Sequence, residues 1–133
     1  MLIFDPDVES YVIDLYELLA ERPKYANISH KEMPTIEEHY AFVKHHPYAS
    51  WHILKNEQGI PVGSVYLTKN NEIGIAIFKD HQGNGYAYEA IKTLSSWHTG
   101  ALYANVAPGN EVSQKLFKSL GFEVIQHTYK LER

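Results

Sequence analysis

The most informative stretch of this chain is His81-Gln82-Gly83-Asn84-Gly85-Tyr86-Ala87. An almost wholly apolar segment, Glu72–Phe78, precedes it, and a segment with helical spacing of apolar residues, Gly85–Trp97, follows it. A glycine turn between a strand and a helix leaves backbone N–H groups pointing outward, and the helix dipole adds positive potential there. Gly83 and Gly85 let a phosphate approach the backbone closely, because neither has a Cβ atom. The stretch therefore predicts an anion-binding turn.

Three kinds of phosphate site use such a turn. A P-loop requires Gly-Lys-Ser/Thr at its end, which Tyr86-Ala87 does not supply. A dinucleotide site requires a third glycine where this chain has Tyr88, and parallel β-α-β units that the preceding hairpins contradict. A coenzyme A site fits the pattern Gln/Arg-x-x-Gly-x-Gly/Ala through Gln82, Gly85 and Ala87. A simple strand-to-helix turn without a ligand is the alternative that this motif alone leaves open.

Two helices are predicted before the strands. The first begins at Asp5-Pro6, with Asp as N-cap and Pro at the first helical position, and ends at Arg22-Pro23. The stretch Lys24–Pro34 has no period and is predicted to be a loop. The second helix begins with the capping box Thr35-Ile36-Glu37-Glu38 and ends at His45-His46-Pro47.

The middle of the chain has the alternating pattern of strands, and helical spacing returns after it. Three strands joined by short turns are predicted to form an antiparallel meander. After the glycine turn and its helix, the pattern predicts a further strand, a helix beginning at Asn110 and a last strand. The predicted strands cover Ser50–Leu54, Val62–Thr68, Glu72–Phe78, Leu102–Val106 and Phe122–Leu131. The order α-α-β-β-β-α-β-α-β predicts one α+β domain over residues 1–133, with a mixed central β-sheet and helices on both faces.

Composition and charge bound the function. The 133 residues are the size of one domain. A net charge of −4 argues against a basic nucleic-acid-binding surface, and the lack of Cys excludes a thiol nucleophile and a Cys-ligated zinc site. The purest apolar run, Ile73–Phe78, is too short to span a membrane, and the first residues do not resemble a signal peptide. A cytoplasmic protein with no nucleic-acid or membrane partner is expected, and a monomer and a homodimer both stay open.

A second segment, Tyr103–Phe122, combines a strand, an Asn at a helix start and Gly-Phe at the helix end. With the glycine turn, Asn110, Ser113 and Gly121-Phe122 in this order, the chain resembles the GCN5-related N-acetyltransferase (GNAT) superfamily over about residues 50–131. The resemblance implies the GNAT fold, in which an antiparallel meander is joined to splayed strands. It also implies acetyl-CoA as co-substrate and acetyl transfer to an amine by direct attack.

The resemblance further implies how coenzyme A is bound. The loop Gln82–Ala87 corresponds to the one that cradles the pyrophosphate, and Ile75–Phe78 corresponds to a strand that splays away from Leu102–Val106. The pantetheine arm lies in that gap, and Asn110 corresponds to a residue on the pantetheine side. The residues expected to bind the cofactor are Ile77, Phe78, Gln82, Gly83, Asn84, Gly85, Tyr86, Ala87, Asn105, Asn110 and Ser113.

The reaction needs a group that takes a proton from the acceptor amine, because an alkylammonium titrates near ~10. Glu72 begins the central strand, where a carboxylate is the base in several relatives, so the resemblance implies that role for it. The alternatives are a surface carboxylate or one that only binds the substrate ammonium. His52 and His30 are second-rank candidates for the base.

One position departs from the family's pattern. Many relatives have a Tyr after the Leu of the last helix, where it protonates the leaving thiolate, but here Leu116 is followed by Phe117. Either the thiolate leaves without a dedicated acid, or another hydroxyl serves, with Tyr129 and Ser113 as candidates.

The acceptor is expected to bind against the first two helices, their connecting loop and the central strands, which includes Tyr25–Met33 and His45–Trp51. Amides, hydroxyls, imidazoles and rings dominate both segments and carboxylates are scarce, so a small polar molecule with one amine is expected rather than a polyamine. The residues expected to bind this substrate are Asn27, Ser29, His30, Trp51 and His52.

Two other functions stay open. One is acetylation of the N-terminal amine of a peptide, and the other is a catalytically weak acyl-CoA-binding module, which the hydroxyl missing at Phe117 motivates. No metal is expected, because His30, His39 and His46 do not have the spacing of metal ligands.

Overall fold

A computed structural model describes residues 1–22 and 33–133. Its strands are β1 (Ile3–Asp5), β2 (Ser50–Lys55), β3 (Pro61–Leu67), β4 (Glu72–Ile77) and β5 (Tyr103–Ala104). Its α-helices are α1 (Val12–Glu21), α2 (Ile36–His45), α3 (Tyr86–Ser96) and α4 (Glu111–Ser119). Short 3-10 helices cover Val8–Tyr11 and Lys79–His81.

The five strands form one sheet in the order β1-β2-β3-β4-β5. The strands β1 to β4 pair with one another in antiparallel order, whereas β5 is parallel to β4. The sheet is therefore mixed, and the predicted α+β class is confirmed. Parallel pairing is brief, because it joins only Glu72 to Tyr103 and Ile73 to Ala104 while β4 continues to Ile77.

Helices cover both faces of the sheet, as the sequence predicts. On one face, here called the α1/α2 face, the buried residues are Val8, Val12, Leu15, Leu18, Val43, Trp51 and Ile53. On the other, the α3/α4 face, the buried core contains Leu2, Leu54, Val62, Val65, Leu67, Ile73, Ala90, Ile91, Leu94 and Phe117. Among the described residues no helix is long and apolar enough to cross a lipid bilayer.

The start of the chain differs from the prediction. Asp5 belongs to a strand that pairs with β2, not to a helix cap, and α1 begins only at Val12. The Asp5 carboxylate accepts a hydrogen bond from the backbone N–H of Asp7 and forms an ion pair with Lys55, 3.0 Å away. The Asp-Pro signal is local, whereas the pairing of β1 depends on a strand that is distant in the sequence. The capping box at Thr35 is confirmed, with both of its hydrogen bonds present.

The end of the chain also differs. The predicted strand Phe122–Leu131 does not form; Phe122 packs edge-to-face on Phe117, with ring centroids 5.1 Å apart, and the residues beyond it are exposed. Apolar residues in this segment give it the composition of a strand, but a strand also needs a neighbour to satisfy its backbone groups. Within the described structure, no strand pairs with the outer edge of β5.

Candidate functional site

The glycine turn between β4 and α3 has the backbone that the sequence predicts. Gly83 and Gly85 have φ angles of +84° and +77°, in the left-handed region that glycine adopts without strain. A Cβ atom on either would meet no atom of the described residues within 4 Å, so both α-carbons face open space in this part of the structure. Gly85 is the N-cap of α3, and no side chain in residues 1–22 or 33–133 caps this helix, whereas Thr35 caps α2 and Asn110 caps α4. The first N–H groups of α3 therefore stay available for a ligand.

Two polar side chains hold the turn in shape. Gln82 Nε2 donates to the carbonyl oxygen of Ile77, 3.1 Å away, and Asn84 Nδ2 donates to the carbonyl oxygen of His81 at 3.0 Å. Gln82 through Gly85 are all exposed. These hydrogen bonds fix the backbone while the N–H groups of the turn remain open to solvent. An anion at this place would be bound mainly by the backbone.

The end of β4 borders a gap in the sheet. Pairing with β5 stops after Ile73, although β4 continues to Ile77. The Phe78 N–H donates to the carbonyl of Val62 in β3, so the backbone groups of Ile75 and Ile77 point the other way, into the gap. Pairing that ends at Ile73 is what the expected splay of the two strands requires. At the far side, Asn110 Oδ1 accepts from the Ser113 N–H at 3.2 Å and starts α4.

Glu72 lies at the closed end of this gap, where β4 and β5 still pair. Its Oε2 accepts a hydrogen bond from Asn105 Nδ2 at 2.6 Å, and its Oε1 lies 3.5 Å from the Thr68 hydroxyl. The Thr68 oxygen is itself fixed, because it accepts from the backbone N–H groups of Asn70 and Glu72. The half-buried carboxylate is thus held from two sides. The sequence places Thr68 at the end of a predicted strand, but no motif indicates that it contacts Glu72.

Aromatic rings cover the sheet beside the gap on the α1/α2 face. Trp51 is only 5% exposed and is in edge contact with Phe42, His46 and Tyr48. Its indole Nε1 is buried and has no hydrogen-bond partner among the described residues. Tyr48 stacks flat on Tyr66, and burial, with the neighbouring Tyr66 hydroxyl, raises the pKa of Tyr48. Trp51 is thus part of the core under the expected acceptor side.

The structure does not bring His52 to this side. Consecutive strand residues point to opposite faces, so His52 lies on the α3/α4 face, between the rings of Phe4 and Trp97. Burial lowers the pKa of His52, and its Nδ1 has no hydrogen-bond partner among the described residues. The sheet separates it from Trp51, and nothing places it near an acceptor bound on the α1/α2 face.

The other predicted acceptor residues, Asn27, Ser29 and His30, lie outside the described residues. His39 is buried, with Nε2 3.2 Å from the carbonyl oxygen of Val12, and burial lowers its pKa. His46 contacts the Trp51 ring. Across residues 1–22 and 33–133, no group of three or more His, Asp or Glu side chains could hold a metal ion.

Sequence reasoning missed Tyr66. This residue pairs with Trp51 on one side and with Gly74 on the other, so the three lie in one row across the sheet. The row could have been found from the two hairpins, because their turns fix the strand register. Of the expected proton donors, Tyr129 is 90% exposed in the C-terminal segment, and the position of the missing hydroxyl, Phe117, is buried against Phe122.

Comparisons with known proteins agree with this geometry. A family described as "Acetyltransferase (GNAT) domain" matches residues 2–123. A search of curated protein sequences gives no significant match. Among solved structures, a domain from Methanocaldococcus jannaschii DSM 2661 is similar with a TM-score of 0.80 and 24% identity, over 96% of this chain and 92% of that one.

Two further similar structures are those of acetyltransferases. An acetyltransferase from Thermus thermophilus has a TM-score of 0.73 and 23% identity, over 95% of this chain and 89% of that one. Spermidine N-acetyltransferase from Vibrio cholerae, in complex with CoA and spermine, has a TM-score of 0.80 and 21% identity, over 95% of this chain and 83% of that one. At these identities the structures establish the fold, whereas the family match covers most of the chain. The chain therefore belongs to the GNAT family of acetyltransferases.

Proposed function

We propose that this protein transfers the acetyl group of acetyl-CoA to the primary amine of a small polar metabolite, by direct attack within a ternary complex. One observation carries the proposal: an uncapped glycine turn at the end of β4 opens beside the gap between β4 and β5. We propose that the protein works in the cytoplasm without a metal, membrane or nucleic-acid partner. Its net charge of −4 supports the last of these.

The residues present suit coenzyme A. The N–H groups between Gly83 and Ala87 would bind the pyrophosphate, because α3 has no side-chain cap and both glycines leave open space. The backbone groups of Ile75 and the Ile77 N–H, which point into the gap, would pair with the pantetheine amides, while the Ile77 carbonyl oxygen already accepts from Gln82. Asn110 keeps its Nδ2 for the same arm, since its Oδ1 caps α4. Bound acetyl-CoA supplies the acetyl group as a thioester.

Glu72 accepts the proton of the amine in this proposal, directly or through a water molecule. The carboxylate lies at the closed end of the gap, and Asn105 and Thr68 orient it. An alkylammonium with a pKa near ~10 is almost fully charged at neutral pH, so a positioned base raises the fraction that can attack. Backbone N–H groups of β4 that face the gap stabilise the negative charge that develops on the thioester oxygen.

The acceptor is a compact molecule with one amine. In the described segment His45–Trp51 there is no carboxylate, while rings and imidazoles are frequent. A polyamine specialist needs several converging carboxylates, so this chain is proposed to differ from its Vibrio cholerae structural relative, which is named for spermidine. The N-terminal amine of a peptide is the second candidate acceptor, and an acyl-CoA-binding module with little turnover is the third function.

A screen separates these functions. The protein is incubated with acetyl-CoA and a panel of amino sugars, amino acids, peptides and polyamines, and released CoA thiol is measured. Acetylation of an amino sugar or amino acid above every other class supports the proposal. Preferred acetylation of a peptide or of spermidine contradicts the acceptor class, and binding of acetyl-CoA without turnover of any amine contradicts the enzyme assignment.

A further inference from the structure

The ring of Tyr66 lies directly on the backbone of Gly74, on the α1/α2 face of the sheet. A Cβ atom at Gly74 would be 1.9 Å from Tyr66 Cζ and 2.4 Å from its hydroxyl oxygen. No side chain other than hydrogen fits between the two. Glycine at this position thus brings a phenol hydroxyl onto the central strand.

Gly74 marks the closed end of the gap. It is the first residue of β4 beyond the last pair with β5, Ile73–Ala104. If the pantetheine arm enters from the glycine turn at the other end of β4, its thioester comes to lie beside Gly74. Tyr66 would then present its hydroxyl next to the thioester, on the side from which the acceptor arrives.

The ring of Tyr66 is fixed in this position. Tyr48 stacks on it with centroids 3.9 Å apart and an interplanar angle of 8°. Trp51 packs on Tyr48 from the edge, at 4.8 Å. A hydroxyl that is held by packed rings needs no reorganisation to meet a charge that develops nearby.

We propose that Tyr66 is the proton donor to the departing thiolate, in place of the hydroxyl that is missing at Phe117. This inference rests on the proposed acetyl transfer. The amine nitrogen bonds to the carbonyl carbon, the C–S bond breaks with its electron pair going to sulfur, and the Tyr66 proton moves to that sulfur. Tyr66 regains a proton from solvent, and the proton lost by the amine passes to Glu72, so the products are the amide and the CoA thiol.

The alternative donors are less well placed. Phe117 has no hydroxyl and is buried in the α3/α4 core. Tyr129 is 90% exposed in a segment that does not pair with the sheet. Ser113 offers only an aliphatic hydroxyl, which is a much weaker acid than a phenol.

The test compares two acyl donors. The first is acetyl-CoA and the second is its selenoester analogue, whose selenolate is a far weaker base and leaves without a proton. Tyr66→Phe is expected to lower kcat by about 10²-fold with acetyl-CoA, as general acids typically contribute. With the selenoester the loss of kcat should be much smaller. The ratio of wild-type to variant kcat should therefore be clearly larger for acetyl-CoA than for the selenoester. Tyr129→Phe is the matched control and should change neither rate.

A second variant moves Tyr66 without altering its chemistry. Gly74→Ala places a Cβ atom where the ring lies, so it should show the same donor-selective loss, and adding Tyr66→Phe to it should lower kcat no further. Gly100→Ala is its control, because a Cβ there meets nothing within 4 Å. Circular dichroism and acetyl-CoA binding check that each variant is folded.

Three results would overturn the proposal. These are an equal loss with both donors, a change confined to the KM of the amine, and the selective loss appearing in Tyr129→Phe. Wild-type protein that acetylates no amine with either donor would instead contradict the proposed function itself. The two failures are therefore distinguishable.

Discussion

Asn105 Nδ2 donates a hydrogen bond to Glu72 Oε2 over 2.6 Å and so joins the two strands that border the gap. Asn105 follows the end of β5, and Glu72 begins β4. The resemblance implies a contact between Asn105 and the cofactor, but in this structure its amide is used to orient a carboxylate. The carboxylate proposed as base thus depends on a residue from the other side of the gap.

Glu72→Gln is expected to lower kcat/KM by roughly 10²–10⁴ at pH 7, because the amine proton then has no acceptor. The loss should be smaller for weakly basic amines, which are already neutral, and smaller at high pH. Initial rates with amines of graded basicity measure this. A loss that is negligible at neutral pH would show that the base is another group.

Asn105→Ala should share that dependence on amine basicity, in weaker form, while acetyl-CoA binding stays close to that of wild type. Titration calorimetry with acetyl-CoA provides the control measurement. If the variant loses cofactor affinity and turns over all amines equally poorly, Asn105 contacts the cofactor and does not position Glu72.

Gly85→Val is expected to abolish the rise in Tm that acetyl-CoA causes in wild-type protein, since a ligand of the folded state stabilises it by linkage. The branched side chain would lie at the proposed pyrophosphate site, and a φ of +77° is unfavourable for valine. Because of this unfavourable φ angle, the Tm of the variant without ligand should also be lower than that of wild type. Gly100→Val is the control and should keep the ligand-induced shift; an unchanged shift in Gly85→Val would refute the loop assignment.

Trp51→Ala is expected to act mainly on stability, although the sequence suggests an effect on the acceptor KM. Removing a Trp side chain that is 5% exposed costs about 3–5 kcal/mol through lost burial and the cavity that remains. Denaturant unfolding measures the loss. Trp97→Ala, at a residue that is 52% exposed, should cost clearly less. Equal losses in the two variants would contradict the buried position of Trp51.

His52→Leu should reduce the loss of stability at acidic pH. Burial lowers the pKa of His52 in the folded state, so below the unfolded pKa of about 6.5 the unfolded chain binds more protons. The contribution of the neutral side chain is complete above that pH and is lost as the pH falls from about 6.5 through the folded pKa. Unfolding free energies measured above and below this pH should therefore differ less in the variant than in wild type.

His127→Leu, at an exposed residue of the C-terminal segment, is the matched control for this pH effect. In this variant the unfolding free energy should differ between the two pH values by as much as it does in wild type. If His52→Leu behaves in the same way as this control, His52 does not contribute to the acid sensitivity. Because burial also lowers the pKa of His39, that residue is expected to contribute to the acid sensitivity that remains in His52→Leu.

Local patterns in the sequence predict several parts of the fold that the structure confirms. Thr35 and Glu38 specify a helix start within one turn, and Gly83 and Gly85 specify a turn because their φ angles suit no other residue type as well. The meander from Ser50 onward follows from alternation and short turns. In each case the residues that carry the signal are neighbours in the chain.

Which distant groups meet depends on the tertiary structure. The hydroxyl of Tyr66 lies on Gly74, and Asn105 reaches Glu72, because the pairing of β3 with β4 and of β4 with β5 brings them together. The segment after Phe122 has the composition of a strand but remains unpaired in this structure. A strand's backbone must find its partner elsewhere in the chain, and no local pattern records whether that partner is available.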